Sequence, residues 1–184
     1  MKHLAILPLA ALAFAGCKEE PDDPIIPNEE EFISTVKLEL IEAQTNDTLW
    51  FQFTDLDGDG GNDPVISIDT LSTGSIYQAN LYLLNETETP ADSIHNEVEE
   101  EGLEHQVFFQ FSSNDLSISY SDSDTDGNPI GLETEWETNN ETQTILTLTL
   151  RHEPNKDAPG VADGDISQAG GETDVEVDFP IYIK

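Results

Sequence analysis

The chain has 184 residues and sets 39 Asp and Glu against 6 Lys and Arg, a formal net charge of -33. That length suits one domain with a leader and a linker, and 36% hydrophobic residues with 8% aromatics suffice for a packed core. A surface this negative repels phosphate backbones and anionic head groups, so nucleic acid is excluded as a partner and cations become the natural ones.

In chain order, Met1-Lys2-His3 gives a short positive start, followed by the apolar run Leu4 to Phe14 and then Ala15-Gly16-Cys17. The run has the length of a signal-peptide core and falls short of the roughly 20 residues that a membrane-spanning helix needs. The lone cysteine directly follows two small residues. This arrangement resembles the bacterial lipoprotein signal, or lipobox, although Phe14 stands where that motif usually has Leu. The resemblance implies that residues 1–16 are a signal peptide and that Cys17 is acylated as the first mature residue. An acylated Cys17 would have no thiol left for a disulfide, catalysis or a soft metal. Lys18-Glu19-Glu20 resembles the short Lys-acid-acid signal that sends some Gram-negative lipoproteins to the outer face of the outer membrane. A periplasm-facing acidic tether is the alternative.

Residues 17–31 carry three prolines among clustered acids and cannot build a core. They read as an extended tether that reaches about 45 Å in polyproline geometry.

From Phe32 onward the dominant period is two. Val36, Leu38 and Leu40 alternate with polar residues, as do Leu49, Phe51 and Phe53. Val65 to Ile68, Ile76 to Leu84, Val107 to Phe111, Leu116 to Tyr120, Ile145 to Leu150, Val175 to Phe179 and Ile181 to Ile183 follow. Turn residues separate these runs, and no strand–helix alternation is present. The pattern predicts an all-β fold for residues 32–184, an antiparallel β-sandwich of Ig-like or Greek-key type with about eight or nine strands. Ile94 and Val98 allow a short helix or an irregular loop within Ala91 to Glu101.

Two acidic loops interrupt the strands. Asp122, Asp124, Asp126, Gly127, Asn128 and Glu133 match the spacing D-x-D-x-D-G-x5-E of the EF-hand calcium loop. Alternate residues of a tight loop aim their oxygens at one point, and the glycine permits the turn. Pro129 at the eighth position and strand-like flanks exclude an EF-hand domain, which leaves a calcium loop between strands. The second loop, Asp55-Leu56-Asp57-Gly58-Asp59-Gly60-Gly61-Asn62-Asp63, resembles the calcium repeats of thrombospondin-type and dockerin modules at Asp55, Asp57, Asp59 and Asp63. Asp157, Asp163 and Asp165 form a looser cluster near Glu172 and Asp174. Calcium is the expected ion for oxygen-rich loops of this kind. A well-solvated, salt-adapted surface produces the same residues without metal, and Asp-Gly is itself a hairpin signal.

Catalytic signatures are absent: the sequence has no G-x-S-x-G, no H-E-x-x-H and no phosphate-binding glycine loop. His95, His105 and His152 show no ligand spacing, and the last two read as strand-edge surface residues. Trp50, Tyr77, Tyr82 and Trp136 would stack on sugars if exposed, or fill the core if not. The expectation is a non-enzymatic, membrane-anchored lipoprotein with a calcium-stabilised domain. A glycan- or protein-binding accessory lipoprotein is the alternative, and a carboxylate-dependent glycan hydrolase comes third. This expected plan of lipobox, acidic stalk and β domain resembles that of the small uncharacterised lipoproteins of Gram-negative bacteria.

Overall fold

The structure is a computed structural model that describes residues 32–58 and 60–184. Residues 1–31, on which the expected signal peptide, Cys17 and tether fall, and Asp59 lie outside the described residues.

The alternating runs form nine strands in two antiparallel sheets among the described residues. The first sheet holds β1 (Thr35–Glu42), β2 (Thr48–Thr54), β3 (Val65–Ile68), β4 (Ile76–Leu84), β6 (Leu116–Tyr120) and β7 (Glu133–Thr138), in the order β3-β2-β1-β4-β7-β6. The second holds β5 (His105–Gln110), β8 (Thr142–His152) and β9 (Glu172–Ile183), in the order β5-β8-β9. The all-β sandwich is therefore the fold. Residues 175–179 and 181–183, separate runs in the sequence, are one strand running through Pro180. Because β9 is a sheet edge, a residue without an amide hydrogen costs no ladder bond on its outer side.

Period-two alternation sets what faces inward. Val36, Leu38 and Leu40 pair with Leu83, Leu81 and Ala79 across β4, and all six are buried. The partner faces Leu146, Leu148, Leu150, Val177, Phe179 and Ile181 close the core from the second sheet. At its centre Phe51 meets Trp136 edge-on at 6.1 Å and Phe179 at 6.1 Å. Trp136 is 0% exposed, and its indole N–H donates to the Thr134 hydroxyl at 2.8 Å, so its polar end is satisfied inside.

Short bridges tie the sheets together. On one side the Val107 amide donates to the Ile130 carbonyl at 2.7 Å and the Leu81 amide donates to the Leu132 carbonyl at 2.8 Å. Segment 130–132 thus joins β5 of one sheet to β4 of the other. Gly131 sits between them at φ +95, where a Cβ would lie 2.9 Å from the Val107 Cβ, so both backbone sign and space require glycine. Elsewhere Leu71 bridges to the end of β9 through Tyr182 and Lys184.

The ambiguous stretch forms a short helix, α1 (Ile94–Glu100). Ile94 and Val98, one turn apart, are its buried residues, and its remaining face is acidic.

Candidate acidic cleft and its cation seat

Loop 122–133 leaves β6 and returns to β7, and its first two aspartates take different partners. Asp122 closes the return: its Oδ1 accepts from the Gly131 amide at 2.8 Å, and its Oδ2 accepts from Leu132 at 2.7 Å and Glu133 at 3.0 Å. A carboxylate that collects three amide hydrogens serves as an anion in a nest of donors. Asp124 winds the tip, accepting at Oδ1 from the amides of Asp126 (3.0 Å) and Asn128 (2.9 Å). Gly127 completes that turn at φ +88.

The other oxygen of Asp124 meets the ammonium of Lys156 at 2.9 Å, with the two side chains 1% and 6% exposed. Lys156 also donates to the Pro129 carbonyl at 3.0 Å and to the Gly102 carbonyl. All three ammonium hydrogens are therefore placed on protein oxygens. The loop holds a cation, and that cation is a lysine from elsewhere in the chain. Burial on its own would raise the Asp124 carboxyl. The hydrogen bond and charge of Lys156, with the two loop amides, outweigh burial and hold it below the ordinary carboxylate value. Asp126 and Glu133 stand exposed, and Asn128 is half-buried.

Loop 55–63 joins β2 to β3 as a set of side-chain-to-amide turns. Asp55 Oδ1 accepts from Gly58 at 2.9 Å and Asp57 at 3.3 Å. Asp57 Oδ2 accepts from the Asn62 amide at 3.1 Å and from its side-chain nitrogen at 2.6 Å. Those two Asn62 bonds, the amide first, lower the Asp57 carboxyl below its usual value. Asp63 is exposed. Of the looser third cluster, Asp165 caps the 3-10 turn Ile166–Gln168, and Asp174 turns to His105.

Between α1 and loop 122–133 lies a cleft of about 590 Å³. Its walls bring Glu99, Glu101, Glu104, Asp122, Asp124 and Glu133 together over a floor that includes Tyr82, Ile130 and Leu132. The His95 ring packs edge-on against Tyr82 at 5.3 Å, and its Nδ1 donates to the Leu83 carbonyl at 3.1 Å. The Tyr82 hydroxyl donates to Glu39 at 3.1 Å; burial, with that hydrogen bond and charge, raises its pKa. Chemically the cleft suits a cation or a cationic group.

The aromatic residues divide. Tyr77 and Trp136 belong to the core. Trp50 and Tyr82 lie half-buried on the outer face of the larger sheet, and the Lys37 ammonium stands 4.0 Å from the Trp50 ring.

The surface reading of His105 is overturned. Its ring is buried on the same side of β5 as Val107, in a stretch where Gln106 and Phe108 on the other side are buried as well. Across the ladder it faces His152, with ring centroids 4.7 Å apart. Burial, the leading cause, pulls the His105 pKa below its usual value. Sequence reasoning also missed Lys156. The parity with Val107 was a usable signal for His105, whereas nothing local marks Lys156 as the partner of a loop 32 residues away.

Comparison with known proteins finds no matching family model, no matching curated protein and no matching solved structure.

Proposed function

We propose that the chain is a membrane-anchored, surface-displayed lipoprotein whose β-sandwich is a non-enzymatic binding or structural module that draws cations to its acidic loops. Acylation of Cys17 supplies the anchor, and residues 17–31 supply the stalk. The observation that carries the binding reading is the cleft beside α1, where Glu99, Glu100, Glu101, Glu104 and Glu133 line one space beside the already partnered Asp122 and Asp124. The loop 55–63 is the seat for calcium under this reading, with the exposed Asp126 and Glu133 and the half-buried Asn128 offering oxygens beside the Lys156-filled turn. Calcium held there would relieve like-charge repulsion and favour the folded chain by mass action.

Thermal unfolding of the full chain after chelation tests this reading, with calcium added and magnesium as the control. The expected result is a midpoint rise of several degrees with calcium alone, lost in Asp57→Asn. No shift, or an equal shift with magnesium, rejects it.

A second reading, a glycan- or protein-binding accessory lipoprotein, is favoured by Trp50 and Tyr82. Both lie on the outward parity of the larger sheet, Trp50 opposite Glu39 and Tyr82 opposite Lys37. Half-exposed rings beside polar groups are the usual elements of a sugar-stacking surface.

A further inference from the structure

The histidine pair at the end of the smaller sheet has the composition of a transition-metal site. His105 opens β5 and His152 closes β8, and they are direct partners in the ladder. The register between β8 and β9 slips between Leu150 and Arg151: Leu150 pairs with Val175, but Arg151 pairs with Thr173. Asp174 is the extra residue of that bulge. Bulges re-aim side chains, and this one brings the Asp174 carboxylate to 3.9 Å from His105 Nε2. Ligand atoms of His105, His152 and Asp174 all lie within 4.8 Å of one another.

The tautomer of His105 is fixed by its neighbour. Nδ1 lies 3.2 Å from the Glu101 carbonyl, which can only accept, so Nδ1 carries the hydrogen. In the neutral ring, Nε2 then presents a lone pair towards the Asp174 oxygen. A ligating histidine held by its other nitrogen on a backbone carbonyl is the usual supporting arrangement of metal sites. On the open side, Glu104 Oε2 stands 3.9 Å from His152 Nε2.

We propose that His105, His152 and Asp174 bind a divalent transition metal of the zinc class, with Glu104 or water as the fourth ligand. Imidazole nitrogens select against calcium and magnesium and suit zinc, cobalt, nickel or copper. Tetrahedral zinc with bonds near 2.0–2.1 Å sets its ligand atoms about 3.4 Å apart, so binding draws these side chains in by about 1 Å. The metal would tie β5, β8 and β9 together where the ladder is bulged. This site is separate from the calcium loops and does not depend on the reading given for them.

The test is titration of the chelator-stripped full chain with zinc, and in parallel with cobalt(II), in excess magnesium and calcium to occupy surface carboxylates. One equivalent of zinc should bind, and cobalt should give a tetrahedral visible spectrum. Asp174→Asn and His152→Gln should each weaken binding at least tenfold and abolish that spectrum. Both positions are less buried than His105, and circular dichroism confirms that each variant is folded. Absence of the tetrahedral spectrum in the unaltered chain, or zinc affinity unchanged in both folded variants, overturns the proposal.

Discussion

Replacing Lys156 with Met removes the ammonium and keeps most of the side chain's volume. The Asp124 carboxylate then loses its 2.9 Å partner while remaining buried, and the carbonyls of Gly102 and Pro129 lose their donor. Breaking a buried ion pair from one side typically costs about 3–5 kcal/mol. Asp124 keeps its bonds from the amides of Asp126 and Asn128, and the adjoining cleft lets water approach, which places the loss near about 3 kcal/mol. In a chain of this size that lowers the melting temperature by roughly 6–12 °C. Urea unfolding followed by tryptophan fluorescence reads the change directly, provided that the slope m is constant. The double variant Lys156→Met, Asp124→Asn should recover part of the loss, because it no longer leaves a charge facing an empty seat. A single-variant loss below about 1 kcal/mol, or a double variant no more stable than the single, would refute this account of the loop.

Two further outcomes follow from the same region. Asp122→Ala strips an anionic acceptor from three amides and should cost about 2–3 kcal/mol in urea unfolding, with Asp122→Asn intermediate; equal stability of Asp122→Ala and the unaltered chain would show that the return of the loop is held by other contacts. Tyr120, whose hydroxyl donates to the Val107 carbonyl at 2.7 Å, is pushed up to about 12, chiefly by burial and further by the Asp122 charge. An unfolded tyrosine ionises near about 10, so the folded state holds this proton more tightly. The resulting stability is complete below about pH 10 and is lost as pH rises towards 12, by an amount on the order of 2 kcal/mol. The stability difference between the unaltered chain and Tyr120→Phe should shrink across that window, and parallel curves would contradict it.

The sandwich was legible because each strand carries its own signal. Val36-Lys37-Leu38-Glu39-Leu40 states which side is buried without reference to any other segment. β7 was harder: in Glu133–Thr138 the inward residues are Thr134, Trp136 and Thr138, so two of its three buried positions are polar. The acidic loops were legible as tight turns, since Asx bonds and glycines at positive φ are local. Their occupant was not legible. The D-x-D-x-D-G spacing announces that oxygens converge but is silent on which cation they meet, and Lys156 arrives through tertiary packing. The same limit applied to His105 and His152, whose partnership rests on a ladder between strands 47 residues apart in register, and to Asp174, whose direction depends on a bulge.

These placements give the net charge of -33 a structural meaning beyond solubility. Exposed carboxylates repel one another weakly, because water and salt screen them within about 10 Å. A carboxylate taken inside lacks that screening and needs donors of its own, amides as at Asp122 or a cation as at Asp124. Asp124, in an all-oxygen setting with two carbonyls, has an ammonium, which is a hard, hydrogen-bonding charge on a flexible stem. Asp174 sits instead beside the imidazole of His105, with Nε2 3.9 Å from its carboxylate. The two interior seats therefore differ in kind. The oxygen seat is held by a lysine of the chain, whereas the nitrogen–oxygen seat carries the donor set of the proposed metal site.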